Sequence, residues 1–476
     1  MKFATTLLPL SMLLLSGCVV GPDYKSPDSA LPAKFSEASA KSAGDVTLSP
    51  WWESFRDRRL NDLVHQGMNQ NLTVLQALER ITAAEADVVI AGAGALPSLN
   101  ASADATASGQ HGGYLARTSP TGSNTNSSKS MNAGLGASWL LDFFGQYRRS
   151  KEAANASLDA AYDDVNVARL AYLSDLVSSY ISARYYQEAL ALSRKNLESR
   201  RETLNLTNEI KSAGAASSLD VLQVEGLVNQ TLADLPGLET GFHQAANHIA
   251  TLLGVPASTI TASLTKGSPQ PMPRNAAQAG LPADLIRNRP DIRAAERRLQ
   301  AATASIGVAE ADLYPSIELG GSIGATRNFT RAATGNLTSW SFGPSLVLPI
   351  FNGGALQAQV KIARSQAEQQ YLTWKQTVLQ AVEEVETAQI ALNRDARTVA
   401  ALRKVVQSYE QTLDLARESY RGGASTILDV LDAERNVATA RLSLAAAIRQ
   451  LANDYVSLNV AIGGGSSIGT PVVASR

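Results

Sequence analysis

Chemistry has few places to reside in this chain. Its four histidines, His65, His111, His243 and His248, are scattered, and the last two stand five apart, which does not suit one helical face. No zinc-ligand spacing, nucleophile elbow or phosphate-cradling loop occurs; "GAGALP" (92–97) lacks the third glycine of a dinucleotide fingerprint and ends a helical run instead of opening one. The expectation is therefore no enzyme, no catalytic residue, no metal site and no bound cofactor. Carboxylates remain. "KSAGAASSLDVLQVEG" (211–226) and "YRGGASTILDVLDAER" (420–435) are the same turn written twice, 209 positions apart. Gly214 falls on Gly423, Leu219-Asp220-Val221-Leu222 on Leu428-Asp429-Val430-Leu431, and Glu225 on Glu434. Ser217-x-x-Asp220 and Thr426-x-x-Asp429 read as capping boxes that open a helix, where a carboxylate also suits the dipole. Asp432 has no counterpart, because Gln223 stands there, and it lies three residues beyond Asp429 on the same face. Gly214, Gly422 and Gly423 are expected to supply the positive φ of a tight helix reversal.

The turns must be carried by long helices. No Gly or Pro interrupts Gln146 to Ala213, or Ala355 to Arg421. At 1.5 Å per residue, each run of about 67 residues reaches roughly 100 Å if continuous. Apolar positions recur three and four apart, at Leu402, Val405, Tyr409, Leu413, Ala416 and Tyr420, and at Leu190, Leu197 and Leu204. That is coiled-coil patterning, which a soluble antiparallel bundle shares. Shorter helices return over 217–253 and 426–462, with Pro236-Gly237 predicted to kink the first. Others enter over 70–96 and 290–313, where Val74, Ala77, Arg80, Ile81, Ala84, Ala91 and Pro97 match Ile292, Ala295, Arg298, Leu299, Ala302, Ala309 and Pro315 without a gap. Each half thus repeats one order, and "TKGSPQPMPR" (265–274) reads as the join.

Between entering and long helices the pattern changes to period two. In 131–143, Met131, Leu135, Trp139 and Phe143 alternate with Asn132, Gly134, Gly136 and Ser138; 339–351 alternates likewise. Shorter strands are predicted at 98–106 and 316–326, with Leu99, Ala101 and Ala103, then Ile317, Leu319 and Ile323, on one face. Soft Gly/Ser/Asn/Thr loops fill 107–130 and 328–338. Such strands suit either a soluble sandwich or a membrane barrel. Four strands are too few for a sandwich, and equally cannot enclose a pore. Eight give an interior filled by side chains, so twelve, from three chains, is the smallest wet conduit.

Composition bounds the class. The chain of 476 residues is 45% hydrophobic, 18% charged and 6% aromatic, with net charge -1, which gives no electrostatic case for nucleic acid and none for disorder. Lys2, an apolar stretch at 7–15 and Leu15-Ser16-Gly17-Cys18 form a signal peptide ending in what resembles a bacterial lipobox. Cys18 is the single cysteine and stands where acylation needs it, and Val19 follows in place of an aspartate retention signal, which favours the outer membrane. No later apolar run is long enough for a transmembrane helix.

"LSGCVVGPDY", "WWESFRDRRLNDLV", "RPDIRAAERRLQAA", "VAEADLYPSIELGGS", "LPIFNGG" and "LDVLDAER", in this order, resemble the TolC-like outer-membrane efflux proteins, specifically the NodT lipoprotein branch serving resistance-nodulation-division pumps. The resemblance spans Cys18 to about Gly465. It implies a mainly α chain with a membrane β part, built as duplicated strand–strand–long helical hairpin units. Three copies would form a twelve-stranded outer-membrane β-barrel continuous with a periplasmic α-helical barrel. The implied partners are a periplasmic adaptor, an inner-membrane pump and outer-membrane lipid. The implied division is a signal peptide (1–17), a lipidated N-terminal segment (18–69), a first repeat (70–264, tip 211–220), a linker and equatorial segment (265–289), a second repeat (290–465, tip 420–429) and a tail (466–476).

By the same resemblance the two turns are periplasmic tips that narrow and open the channel. Asp429 and Asp432 match aspartates of the family's constriction, where three copies crowd six carboxylates that raise one another's pKa and attract cations. Capping is the main role expected of Asp429 and Asp220, leaving Asp432 as the gate charge. Tyr420 matches a tyrosine that ties the second tip to Asp220, and equally reads as a core position. Ser425 stands where some relatives carry an arginine, for which Arg421 is the available substitute. The reading is a passive gated duct for small molecules; the alternatives are an exit channel for type I secretion or another pump, and a structural coiled-coil envelope lipoprotein, which would need no period-two strands.

Overall fold

The computed structural model describes residues 19–28, 35, 46–111, 125–274, 284–285, 288–330 and 334–467. Cys18 and the signal peptide lie outside the described residues. In chain order the elements are a 3-10 turn (Trp51–Phe55), α1 (Arg58–Gln70), α2 (Leu72–Ala93), β1 (Ser98–His111), β2 (Thr125–Leu141), α3 (Gln146–Ser212), α4 (Ser218–Leu252) and α5 (Ala257–Leu264). The second half follows with α6 (Pro290–Ala311), β3 (Ser316–Thr330), β4 (Thr334–Val347), α7 (Ala355–Arg421) and α8 (Ile427–Ala461). The helices α3 and α7 each hold 67 residues without a break, which the absence of Gly and Pro allows. α4 also stays a single helix through Pro236, which occupies an exposed position where the carbonyl left without its N–H partner can be hydrated.

The described residues form two compact units. One draws on the described residues within 19–27, 82–159 and 296–372, the other on those within 28–81, 160–295 and 373–467. The first holds a four-stranded antiparallel sheet in the order β1-β2-β3-β4. Its register sets Ala101, Leu135, Ile323 and Trp340 in one row, and Leu99, Ala137, Gly321 and Phe342 in the next. This apolar face is uncovered: Trp340 is 78% exposed and Phe342 77%. The opposite face is a ladder of small polar groups, with Thr106–Ser130, Ser108–Ser128 and Ser322–Ser341 hydroxyl pairs at 2.7, 2.8 and 2.8 Å. Asn132 donates to Asp104 on that face at 2.9 Å. A soluble sheet buries its apolar face, so this one is inside out. Among the described residues β1 and β4 each have a free edge, and Pro344 is tolerated in β4 because that strand is an edge.

Strand limits differ from the sequence expectation at both ends. β1 and β2 extend to His111 and back to Thr125, and β3 and β4 to Thr330 and from Thr334, into stretches whose composition reads as loop. Ladder pairing and cross-strand hydroxyl bonds hold these polar residues, and composition does not reveal that. At the other end β2 stops at Leu141 and β4 at Val347. Asp142 takes the Arg148 amide at 3.1 Å at the start of α3, and Pro349 offers no N–H to a ladder. The same unit pins the segment after Cys18: Arg149 donates to the Val20 and Gly21 carbonyls and to Asp23, and Tyr24 and Ser26 donate to Glu296.

The second unit is held by an apolar core that the sequence division misses. Residues 46–69 are not merely an anchor segment. Trp51, Trp52, Phe55, Leu60, Leu63 and Val64 are buried with Leu176 and Tyr180 of α3, Ile249 of α4 and Tyr455 of α8. Asp57 caps α1 through the Arg59 and Leu60 amides and accepts the Tyr180 hydroxyl at 2.6 Å. Gly67 lets Tyr172 approach, since a Cβ there would collide with the tyrosine hydroxyl, which donates to Leu63 O at 3.2 Å. Arg289, at the end of the expected linker, is buried against Asp291, Glu384 and the Ala461 carbonyl. Burial lowers its affinity for the proton, and the Asp291 and Glu384 carboxylates together more than offset this.

Candidate functional site

Both repeated turns lie in the second unit, and they share one backbone design. α3 ends at Gly214, with φ 80°, and α7 at Gly423, with φ 73°. Gly214 N–H reaches Lys211 O and Ala215 N–H reaches Ile210 O at 2.9 and 3.0 Å; Gly423 N–H reaches Tyr420 O and Ala424 N–H reaches Ser419 O at 3.0 and 2.9 Å. These are Schellman caps, which need a left-handed residue at that one place. Gly422 is not in the left-handed region, which corrects the expectation that all three glycines serve positive φ. A Cβ on Gly422 would make only ordinary contacts with the Glu418 and Ser419 carbonyls.

The returning helices open on capping boxes. Ser217 donates its N–H and Oγ to Asp220 Oδ2 at 2.8 and 2.9 Å, and the Asp220 amide returns to Ser217 Oγ at 3.2 Å. Thr426 donates its N–H and Oγ1 to Asp429 Oδ2 at 2.9 and 2.8 Å. These bonds, first the amide and then the hydroxyl, hold the Asp429 carboxyl below the usual range. Asp432, exposed on the same face, is paired with Arg435 at 2.6 Å. That partner stands three residues along in the quoted turn, and the sequence reading passed over it. Tyr420 is half-buried against the apolar cluster of Val224, Leu413, Ile427, Val430 and Leu431. Asp220 is engaged with Ser217, and among the described residues no hydrogen bond joins it to Tyr420. Ser425 Oγ is buried with no hydrogen-bond partner among the described residues, and Arg421 is exposed.

One residue of the repeat becomes a centre that sequence reasoning missed. Glu434 of α8 is 5% exposed and gathers three donors. Arg417 of α7 binds it at 2.7 Å, while Ser199 and Thr203 of α3 donate at 3.2 and 2.7 Å. Arg417 also donates to Ser199, and Arg200 donates to Thr231 and to the Leu227 carbonyl of α4. Arg441 binds Glu410 from the far wall of the same cleft, about 490 Å³ in volume. The cluster joins the two helical hairpins. Its signal in the sequence was the Glu225–Glu434 identity itself, a charge repeated at a position that periodicity places on the apolar side. Among the described residues no three His, Cys, Asp or Glu side chains gather as for a metal.

A sheet with an uncovered apolar face and a hydroxyl-lined opposite face occurs in one chain with duplicated helical hairpins. The sequence profile of the family described as outer membrane efflux protein matches residues 63–255 and 281–464. The chain belongs to the outer membrane efflux protein family. Nodulation protein T of Rhizobium leguminosarum bv. viciae is 52% identical over 474 residues, which cover 100% of this chain and 95% of that protein. Outer membrane protein OprJ of Pseudomonas aeruginosa is 32% identical over 98% of this chain and 97% of its own. The solved outer-membrane channel OprN superposes with a TM-score of 0.82 at 32% identity, over 94% of this chain and 100% of that one. This efflux-family chain therefore has the mainly helical architecture of the outer-membrane channels, in which strands form a β-barrel and long helices an α-helical barrel.

Proposed function

We propose that the chain is the outer-membrane duct of a tripartite efflux system. It passes small molecules outward from a proton-driven inner-membrane pump of the resistance-nodulation-division type, through a periplasmic adaptor. The single observation that carries this reading is the inverted sheet: an uncovered apolar face, a hydroxyl-lined opposite face and two unpaired edges. In lipid such edges must close, and three copies of four strands close into a barrel wide enough for water. The duct spends no energy, and its tips, with Asp220, Tyr420, Asp429 and Asp432, form the periplasmic gate. Cys18 carries the covalent lipid. Residues 20–26 are pinned in the same unit as the sheet, which supports an anchor beside the membrane part.

Purified in detergent and imaged as single particles, the protein is expected as trimers with an axial channel that conduct ions in planar bilayers. Monomers, or rods with no channel and no conductance, would overturn the duct and favour an envelope scaffold. Mass spectrometry of the mature N-terminus is expected to find an acylated cysteine.

A further inference from the structure

The Glu434 cluster has an unused duplicate. Inside one chain, α8 meets α3 through Glu434, which accepts the hydroxyls of Ser199 and Thr203. Ser199, Thr203 and Leu206 are spaced for one helical face, and Leu206 is half-buried. Leu431 is 6% exposed. The shift of 209 positions that superposes the turns superposes this interface as well. Glu434 corresponds to Glu225 and Leu431 to Leu222, both on α4. Ser199, Thr203 and Leu206 correspond to Ser408, Thr412 and Leu415, all on α7.

Every one of these counterparts is exposed in the single chain. Leu222 is 64% exposed and Leu415 67%, although each sits at an apolar position of its helix. Among the described residues Thr412 donates only to the Ser408 carbonyl of its own helix. Glu225 accepts no hydrogen bond and forms no ion pair among the described residues, whereas its twin holds three donors. The chain has written both sides of an interface that it makes once internally. Chance retention of a serine, a threonine, a leucine and a glutamate at matching places on two complementary faces is a poor account of this pattern.

We propose that α4 of one copy packs on α7 of the next, with Glu225 accepting the hydroxyls of Ser408 and Thr412 of the neighbouring copy and Leu222 and Leu415 closing over them. The proposal rests on the assembly of copies put forward above and specifies its helical seam. One difference separates the two seams. Arg417, the cation beside Glu434, corresponds to Asn208. The seam between copies therefore keeps the carboxylate and hydroxyls but lacks the charge partner, and it parts more readily than the seam within a copy.

The test uses the full chain with Glu225→Cys and Thr412→Cys together, both exposed positions that leave the single chain's packing intact. Oxidation, then a short bismaleimide, is applied to membranes, and each single variant controls for Cys18. The proposal expects dimer and trimer bands on a denaturing gel from the double variant alone. Trimers seen by microscopy that yield no such bands would overturn the seam while leaving the duct standing. A monomer in detergent would remove both. Asn208→Arg restores the missing cation and is expected to raise the temperature at which trimers dissociate; no rise, or a fall, would overturn the weaker seam.

Discussion

Asp429 and Asp432 stand three residues apart on one helix, and their surroundings give them different work. Asp429 is consumed by the Thr426 amide and hydroxyl. Its carboxyl is held below the usual range, so the stability it contributes is present above the ordinary carboxylate pKa and is lost as pH falls through the lowered value. Asp429→Asn is therefore expected to lower the melting temperature at neutral pH, with the difference from wild type shrinking in acid. Among the described residues Asp432 has only Arg435, at an exposed i,i+3 spacing where ion pairs add little to stability. Asp432→Asn should leave the melting curve in place and reduce cation preference in single-channel recordings, because each copy then carries an unbalanced Arg435 at the tip. If instead Asp432→Asn unfolds the tip and Asp429→Asn alters only selectivity, the two roles are assigned the wrong way round.

At the scale of elements, helix ends are set by single residues. Gly423 has φ 73° and supports a Schellman cap, while Gly422, beside it, is ordinary helix-end backbone. Gly423→Ala is expected to cost roughly 1–2 kcal/mol locally, whereas Gly422→Ala is close to neutral. Hydrogen exchange of the Ala424 amide reads this directly, and equal exchange in the two variants would refute it. The sequence disclosed the element scale well, because apolar spacing of three and four in a run free of Gly and Pro favours one long helix, and the two capping boxes mark where the returning helices open. It disclosed strand limits poorly, since Ser108 and Ser128 read as loop until a facing hydroxyl is known. It also concealed the Glu434 cluster: helical periodicity marks a face but does not say which helix will cover it. Nor does spacing distinguish a tyrosine that packs, as Tyr420 does, from one that ties two tips together.

At the scale of the whole molecule, the sheet decides where the chain can live, and neighbouring residues on opposite faces test this. Ile323 lies in the row Ala101–Leu135–Ile323–Trp340 on the uncovered apolar face, near the middle of β3. Ser322, next in the chain, faces the other way and pairs with the Ser341 hydroxyl at 2.8 Å. An arginine on the lipid face of a barrel costs about 2–4 kcal/mol at mid-membrane, and a three-copy barrel incurs it three times. Ile323→Arg is thus expected to deplete assembled trimers from the outer membrane. Ser322→Arg loses one hydroxyl pair and places its charge where water fills the interior, so trimers assemble and single-channel conductance for cations falls. A soluble sandwich predicts a different outcome, because there both variants would be recovered outside the membrane. The pattern of membrane recovery across this one pair of adjacent residues distinguishes a sheet that faces lipid from one that faces water.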